Sequence, residues 1–345
     1  MKLEEFNYHL PAELIAQEPS PERDDSRMLV VDRMSGAIEE SVFHRFPRYL
    51  KPGDVVVVND SKVIPARLTG RKATGGVIEV LLLSARSTDD VSQTWEVLLR
   101  PAKRIRQGDV INFHGVCEGQ IIERLNEKKW LIHFMTDGPF DQFLDQYGKA
   151  PLPPYIKRKN VHQKSPEDKV RYQTIYARVP GSIAAPTAGF HFSKEVMETL
   201  GEKGIQIARI TLHVGYGTFL PIETDNVEDH EMEEEYFEIG PEEAQLINDA
   251  QRVIAVGTTS TRALESAADE KGKVKPMAAT TRLFIYPGYG FKCVNAMVTN
   301  FHLPKSSLYL LVCAFAGKTL MESSYQKAIN NGFRFYSYGD CMLIQ

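Results

Sequence analysis

The stretch that decides the fold is Pro52–Asn59, "PGDVVVVN", in which a turn leads into four consecutive valines. A short valine-rich run bounded by turn residues predicts a buried strand. The character of the sequence changes soon afterwards, beyond "VIPARL" at residues 63–68. The predicted strand therefore lies close to a point where the pattern of the sequence changes, which suggests a domain boundary.

The segment after this boundary contains short β-favouring runs separated by turn clusters. Between roughly Arg67 and Phe134 the runs are "VIEVLLLS", "TWEVLLR", "DVINFHG", "EGQIIERL" and "KWLIHF". No helical pattern of useful length interrupts them. Many short strands at regular spacing predict an antiparallel barrel or sandwich.

The rest of the chain alternates between strand and helix patterns. Beyond the proline-rich segment 148–160, Ser193 is a plausible helix N-cap and Pro241 fits the first position of another helix. This alternation predicts an α/β domain. We expect an α/β main domain, with a mixed sheet or open barrel and flanking helices, formed by residues 1–66 and 150–345. An all-β, barrel-like domain is expected to be inserted between them, over residues 67–149.

Composition limits the class of protein. The 345 residues are 43% hydrophobic and 25% charged, which is ordinary for a globular chain. A net charge of −4 argues against a surface that binds nucleic acid everywhere, although local basic patches remain compatible with it. Four scattered cysteines without a C-x-x-C pair predict neither a disulfide framework nor a zinc site, and they favour a reducing, cytoplasmic location. No signal peptide and no membrane-spanning run is expected.

The segment Arg171–Ser193, "RYQTIYARVPGSIAAPTAGFHFS", is rich in turn-forming, aromatic and hydroxyl residues. Aromatic faces together with directed hydrogen bonds suit a nucleobase, and a histidine such as His191 is expected to offer a group that titrates near neutral pH. A packed loop with a satisfied histidine is equally compatible with this composition. The candidate binding residues in this segment are Tyr172, Tyr176, Ser182, Thr187 and Phe192.

Two further turns follow predicted strands. In "ITLHVGYGTFLPI", 210–222, Gly215 and Gly217 would let the backbone approach a ligand, and His213 lies at the strand end. A plain glycine-rich turn is the alternative, and this motif alone favours it. In "VIAVGTTSTRALES", 253–266, hydroxyls at a helix start suit a carboxylate or phosphate oxygen, although simple N-capping needs no ligand.

Two acidic residues and two basic patches complete the candidates. Asp60 follows the valine-rich strand, where it can act as a base or as a turn-former, and Asp340 lies beside Tyr338 near the end of the chain. The basic patches flank the predicted β domain and would contact nucleic-acid phosphates or form a solvated surface. Their candidate residues are Arg100, Lys103, Arg104, Lys157 and Arg158.

Taken together, the long motifs resemble the S-adenosylmethionine:tRNA ribosyltransferase-isomerases of queuosine biosynthesis nearly end to end. The matching segments include "LIAQEPSPERDDSRMLVVDR", the stretch from Arg171 to Ser193, "VGTTSTRALES", "VTNFHLPKSSLYLLVCAFAG" and "FRFYSYGDCMLI". The resemblance implies transfer of the ribosyl part of S-adenosylmethionine to the 7-aminomethyl-7-deazaguanine at the wobble position of a tRNA. The ribosyl group is isomerised to an epoxycyclopentanediol, giving epoxyqueuosine-tRNA, while adenine and methionine leave.

The resemblance also implies the partners and the site. S-adenosylmethionine would be consumed as a co-substrate, with no further cofactor and no metal, and the tRNA would present an anticodon stem-loop with a GUN anticodon to a monomeric enzyme. A base must remove a proton made acidic by the sulfonium, for which a histidine or carboxylate is suited. The catalytic candidates are His191, His213, Asp60 and Asp340. The remaining substrate-binding candidates are Arg67, Gly215, Gly217, Thr258, Thr259, Arg262 and Tyr338.

The sequence departs from the resembled family at a motif that usually contains histidine. Two other functions are also compatible with the sequence. The family usually has a second histidine in an H-x-M-H-x-E motif, where this sequence has Glu233. An S-adenosylmethionine-dependent RNA methyltransferase would release S-adenosylhomocysteine instead of adenine and methionine. A non-catalytic tRNA-binding factor would bind tRNA without consuming the co-substrate.

Overall fold

The structure is a computed structural model that describes residues 1–157, 166–219 and 221–345. It contains a nine-stranded mixed sheet with flanking helices and a closed six-stranded antiparallel barrel. The predicted fold class, an α/β domain with an inserted barrel-like β domain, is therefore confirmed. The exact limits given for the two domains stay a prediction.

The regular elements are numbered along the chain. The strands are β1 (Arg27–Val31), β2 (Ile38–Val42), β3 (Asp54–Asn59), β4 (Ser61–Val63), β5 (Arg67–Lys72), β6 (Val77–Thr88), β7 (Ser92–Arg100), β8 (Val110–Phe113), β9 (Cys117–Arg124), β10 (Lys129–Thr136), β11 (Val179–Ser182), β12 (Gln206–Leu212), β13 (Glu235–Ile239), β14 (Arg252–Val256), β15 (Met277–Thr281), β16 (Ala296–Asn300) and β17 (Cys341–Ile344). The α-helices are α1 (Phe140–Tyr147), α2 (Pro166–Arg171), α3 (Lys194–Glu202), α4 (Pro241–Asp249), α5 (Gly257–Ala267), α6 (Ser307–Ala316) and α7 (Lys318–Asn330).

The valine-rich strand β3 lies in the middle of the large sheet, as its burial predicts. Every residue of β3 is buried, and its neighbours are β12 and β14. Because side chains alternate between the faces of a strand, Val55 and Val57 join one hydrophobic cluster while Val56 and Val58 join another. Helices cover both faces, which explains why an uninterrupted apolar run is stable there.

The direction of the strands fixes where functional groups can meet. The large sheet has the order β15-β13-β12-β3-β14-β16-β17-β1-β2, and β12, β3, β14 and β16 are mutually parallel. Strand β17 runs antiparallel to β16, with Cys341 opposite Asn300. The carboxyl ends of four strands and the start of β17 therefore share one edge, which we call the site edge.

The barrel has the strand order β10-β7-β6-β5-β8-β9, so it has no open strand edge. Its interior is packed with aromatic side chains, among them Phe113 and Phe134 with ring centroids 5.7 Å apart. A Cβ at Gly70 would lie 2.7 Å from the Phe113 ring, so this close packing requires glycine. Helix α1 falls within the range predicted to be all β, and its buried Phe140 packs against the barrel aromatics.

The barrel is joined to the main domain by paired backbone and by side chains. Where the chain enters and leaves the barrel, Arg67 N donates to Lys149 O at 3.2 Å and Lys149 N donates to Arg67 O at 2.9 Å. Ile183 of the main domain is buried in the hydrophobic cluster of the barrel. On β10, Lys129 Nζ forms an ion pair of 2.6 Å with Glu233 Oε1. Glu233, which stands where the resembled family usually has histidine, thus links the two parts of the protein.

Two features are absent from the described ranges. Within them, no helix combines the length and the apolar character needed to cross a membrane. In the same ranges, no group of three or more His, Cys, Asp or Glu side chains is arranged to hold a metal ion.

Candidate active site

A recess of about 50 Å³ opens at the site edge, between the ends of β14 and β16. It is formed by segments that lie far apart in the sequence. Its lining comprises Tyr155, Ala185, Pro186, Thr187, Ala188, Val214, Thr218, Gly257, Thr258, Thr259, Thr299, Asn300, Phe301, His302, Leu308, Tyr336 and Ser337. We call this the threonine recess.

The start of α5 gives the threonine recess a hydroxyl that the protein itself does not use. Gly257 has φ of +89°, a conformation that favours glycine and turns the chain from β14 into the helix. Ser260 Oγ donates to Val256 O at 2.7 Å and Thr261 Oγ1 donates to Gly257 O at 3.1 Å. Thr259 Oγ1, in contrast, is buried and has no hydrogen-bond partner. A buried unpartnered hydroxyl costs about 1–3 kcal/mol, so it points to a ligand that completes it.

Asn300, the last residue of β16, forms hydrogen bonds both with the segment Arg171–Ser193 and with the C-terminal part of the chain. Its Nδ2 donates to His191 Nε2 at 3.2 Å and to Tyr336 O at 3.1 Å, while its Oδ1 accepts from Thr187 Oγ1 at 3.2 Å. Because Nε2 accepts this hydrogen bond, the proton of the neutral ring is assigned to Nδ1. Burial, with the charges of Arg334 and Arg23, lowers the pKa of His191 to about 3. The imidazole is therefore neutral at physiological pH.

The backbone at Tyr336 is held in a strained conformation beside the recess. Its φ of +75° lies in the left-handed region, which is costly for a residue with a bulky side chain. Tyr336 N donates to Phe301 O at 3.0 Å, and the Tyr155 ring centroid lies 3.8 Å from its own. Such strain persists only where surrounding contacts fix it, and it is common at binding sites.

His213 and Asp60 lie at the site edge but are not among the residues that line the threonine recess. Asp60 is fully buried, and its carboxylate accepts from Thr211 Oγ1 at 2.7 Å and pairs with Arg178 Nη2 at 2.9 Å. The His213 ring packs against Gly181, and burial lowers its pKa. Its Nδ1 is buried without a partner. The structure thus brings His213 and Asp60 near one another, whereas His191 is bonded to Asn300.

Asp340 acts as a backbone anchor. Its Oδ1 accepts from Arg27 N at 3.1 Å and its Oδ2 from Arg334 N at 2.8 Å. These bonds fix the starts of β1 and β17 at the site edge. The carboxylate does not contact either histidine ring through any hydrogen bond recorded for the described residues.

Arg262 and the glycine turn are organised by Glu235. Arg262 is buried in α5 and forms an ion pair with Glu235, while burial lowers the pKa of the guanidinium to about 10. Glu235 Oε1 also accepts from Gly215 N at 3.0 Å and Thr218 Oγ1 at 3.4 Å. A Cβ at Gly217 would lie 2.8 Å from Glu233 Oε2. The charge of Arg262 is thus already compensated inside the protein, and this ion pair shapes the turn beside the recess.

The aromatic residues predicted to stack on a base are buried and pack edge-to-face with other rings. Tyr172 packs against Phe190, and Tyr176 packs against Phe192, which is itself fully buried. Ser182 Oγ donates to Ser61 Oγ at 2.7 Å, so this hydroxyl joins two strands. Dense packing inside the protein explains much of the aromatic content of this segment.

Tyr172, Phe190 and Tyr338 belong to one buried cluster, together with Ala185 and Val63. We call this cluster the aromatic partition because its members border three recesses. Ala185 borders the threonine recess. A second recess, of about 250 Å³, is lined by Val63, Tyr172 and helix α1, and a third, of about 20 Å³, by Phe190, His191 and Tyr338.

The candidates for contact with tRNA phosphates lie on the surface or at the domain junction. Arg100, Lys103, Arg104 and Lys157 are exposed. Arg158 lies outside the described residues. Arg67 pairs with Glu79 at 2.7 Å and donates to Leu152 O at 3.0 Å, so its side chain holds the junction.

Several residues of the threonine recess were missed by the sequence analysis. Asn300 ends the buried strand β16 and His302 lies two residues beyond it, with His302 Nε2 2.8 Å from Thr299 Oγ1. Burial lowers the pKa of His302 to about 3. The rule that singled out Asp60, a polar residue directly after a buried strand, would also have found Asn300. Nothing local in the sequence indicated the left-handed backbone at Tyr336 or the pairing of Glu235 with Arg262.

Comparisons with known proteins agree with this architecture. A family model described as "Queuosine biosynthesis protein" matches residues 3–344. An S-adenosylmethionine:tRNA ribosyltransferase-isomerase of Syntrophus aciditrophicus is 60% identical over 360 residues, covering 100% of this chain and 99% of the relative. The enzyme of the same name from Halothermothrix orenii is 51% identical over 350 residues, covering 100% of both chains.

A solved structure shows the same relationship. The crystal structure of an S-adenosylmethionine tRNA ribosyltransferase from Thermotoga maritima superposes with a TM-score of 0.54 at 33% identity, covering 99% of this chain and 100% of that one. The resemblance inferred from the motifs is therefore confirmed, and the chain belongs to the S-adenosylmethionine:tRNA ribosyltransferase-isomerase family of queuosine biosynthesis.

Proposed function

We propose that this protein transfers and isomerises the ribosyl group of S-adenosylmethionine onto the 7-aminomethyl-7-deazaguanine at the wobble position of tRNA. The products are epoxyqueuosine-tRNA, adenine and methionine. The observation that carries the proposal is the threonine recess, which is lined by Asn300 and by Thr259 with its buried unpartnered hydroxyl, in a chain that matches the family from residue 3 to residue 344.

The start of α5 suits the carboxylate of S-adenosylmethionine. A helix N-terminus presents free backbone N–H groups and a positive dipole end, both of which favour an anion. Thr258 and Thr259 line the recess at this helix start, and Thr259 Oγ1 is available to donate a further hydrogen bond. Arg262 of the same helix pairs with Glu235, and its Nη1 is buried without a hydrogen-bond partner.

The threonine recess must widen when the substrate enters. Its volume of about 50 Å³ holds only a few water molecules, whereas sites for whole small molecules are typically about 300–1,000 Å³. The strained segment at Tyr336 and the turn at Tyr216–Phe219 border the recess. We propose that these two segments move apart to admit S-adenosylmethionine and then enclose it away from water.

His191 is the proposed proton acceptor. Its Nε2 accepts a hydrogen bond from Asn300, which lines the recess, and burial keeps its ring unprotonated. This hydrogen bond must break before Nε2 can take a proton, because Nδ1 already carries one. The low basicity of the ring weakens the driving force for proton transfer, and the neighbouring sulfonium offsets this by making the ribose proton more acidic. His213 is the competing candidate; neither histidine lines the recess, but His191 is bonded to a residue that does.

The tRNA is proposed to bind through its anticodon stem-loop, with a GUN anticodon, and to lift the wobble base out of its stack. Eversion is less costly in a single-stranded loop than in a duplex. Arg100, Lys103, Arg104 and Lys157 are exposed and suited to contact stem phosphates. We propose that the enzyme is cytoplasmic, because its four buried free thiols suit a reducing compartment. We also propose that it needs no cofactor besides the co-substrate that it consumes. That the enzyme works as a monomer stays a prediction.

The reaction is tested by its products. Incubation with S-adenosylmethionine and a tRNA bearing 7-aminomethyl-7-deazaguanine should release adenine and methionine in equal amounts, and nucleoside mass analysis should detect epoxyqueuosine. Release of S-adenosylhomocysteine would instead identify a methyltransferase. Binding of tRNA without any consumption of the co-substrate would identify a non-catalytic factor.

The role of Thr259 is tested by removing its hydroxyl without changing its shape. Thr259→Val should raise the KM for S-adenosylmethionine about tenfold, because a hydrogen bond to a charged group contributes about 1.5–3 kcal/mol. Thr261→Val is the matched control, since Thr261 Oγ1 bonds to Gly257 O inside the same helix. Equal KM values for the two variants would contradict this assignment.

The identity of the base is tested by the pH dependence of kcat/KM. A base works only when unprotonated, and a His191 pKa of about 3 means that its acidic limb lies below the range from about pH 5 to pH 8. The wild type should therefore show no loss of kcat/KM from this group across that range, and His191→Gln should lower kcat about 100-fold or more. An acidic limb within that range that disappears in His213→Gln, with His191→Gln still active, would assign the base to His213.

A further inference from the structure

Three arginine side chains meet beside the third recess. Arg171 Nη1 donates to Pro21 O at 2.9 Å, and Arg334 Nη2 donates to Ser20 Oγ. Arg23 Nη1 donates to Phe190 O at 3.2 Å. Arg23 and Arg171 both line the recess, which has a volume of about 20 Å³ and also contacts His191. We call Arg23, Arg171 and Arg334 the arginine cluster.

The positive charge of the arginine cluster is largely uncompensated. Among the described residues, one carboxylate pairs with it, namely Asp340, whose Oδ1 lies 3.4 Å from Arg334 Nη2. The nearby Asp24 accepts instead from Ser193 Oγ at 2.8 Å. The remaining partners of Arg23 and Arg171 are backbone carbonyls. Arg171 Nε is buried and has no hydrogen-bond partner.

The positive charges of the arginine cluster lower the pKa values of groups within it and beside it. Burial and the charge of Arg171 lower the pKa of Arg23, and the charges of Arg334 and Arg23 help to lower the pKa of His191. Half-buried guanidinium groups held close together favour an oxyanion that can bind two of them at once.

The size and position of the third recess favour a phosphodiester over a small molecule. A volume of about 20 Å³ accommodates about one water molecule, so it cannot enclose methionine or a nucleoside. A backbone phosphate needs only a shallow groove, because its nonbridging oxygens project from the chain. His191 borders this groove and is bonded to Asn300 of the threonine recess. The groove is therefore one side chain away from the proposed reaction centre.

We propose that the arginine cluster binds a backbone phosphate of the tRNA next to the everted wobble nucleotide. This inference rests on the proposed function, because it needs an RNA whose nucleotide enters the site. It adds a phosphate contact inside the main domain to the exposed basic residues of the barrel, and it fixes the strand where the base leaves its stack.

The test measures the affinity of an anticodon stem-loop RNA over a range of salt concentrations. Arg23→Gln and Arg171→Gln should each lower the slope of log K against log salt by about 0.7–0.9, as expected for one lost phosphate contact. At about 0.15 M salt this corresponds to roughly fivefold weaker binding. Arg171→Lys should keep a slope near that of the wild type, because the positive charge is retained.

Arg33→Gln is the matched control. Arg33 is also half-buried, donates to Phe315 O at 3.1 Å and Asn295 O at 2.6 Å, and follows β1 at the edge opposite the site edge. It should leave both the slope and the affinity unchanged. The proposal is overturned if Arg23→Gln and Arg171→Gln keep the wild-type slope, or if Arg171→Lys loses as much binding as Arg171→Gln.

A second readout separates the phosphate from the co-substrate. Equilibrium dialysis of S-adenosylmethionine should give the same affinity for the wild type and for both glutamine variants. Weakened binding of S-adenosylmethionine with unchanged RNA binding would assign the cluster to its carboxylate and overturn the proposal. Because RNA binding needs no turnover, a wild type that binds RNA normally but releases no adenine would contradict the proposed function alone.

Discussion

The arrangement of the site depends on the side chain of Asn300, buried at the carboxyl end of β16. Its amide bonds to His191, Thr187 and the carbonyl of Tyr336, which come from two segments far apart in the sequence. Parallel strands make this possible, because β3, β12, β14 and β16 all end at one edge. Without the amide, several buried polar groups would lose their partners, each at a cost of about 1–3 kcal/mol.

The barrel and the recess are linked through the turn after β12. Tyr216 in this turn packs against the barrel core, while Thr218 lines the threonine recess and bonds to Glu235. The ion pair between Lys129 and Glu233 fastens the barrel close to the same turn. The turn after β12 therefore contacts both the barrel and the threonine recess through a short, continuous set of side chains.

The sequence predicts the elements of this fold better than the roles of its side chains. The valines of β3 and the short runs of the barrel can be recognised as strands from their local sequence pattern, which follows directly from backbone geometry. Whether Tyr172 offers an open face or packs in a core, and whether Arg262 binds a substrate or Glu235, depends on residues distant in the sequence. Asn300 was within reach of a local rule, whereas the left-handed backbone at Tyr336 reflects the contacts around it.

We propose above that S-adenosylmethionine binds in the threonine recess. A crystal structure of the protein soaked with S-adenosylmethionine in the absence of tRNA would show this binding site directly. We expect a widened recess with the carboxylate at the start of α5, within hydrogen-bond distance of Thr259 Oγ1, and the sulfonium on the side of Asn300. Density for the ligand in the recess of about 250 Å³ beside α1, with Thr258 and Thr259 uncontacted, would rule out this binding site.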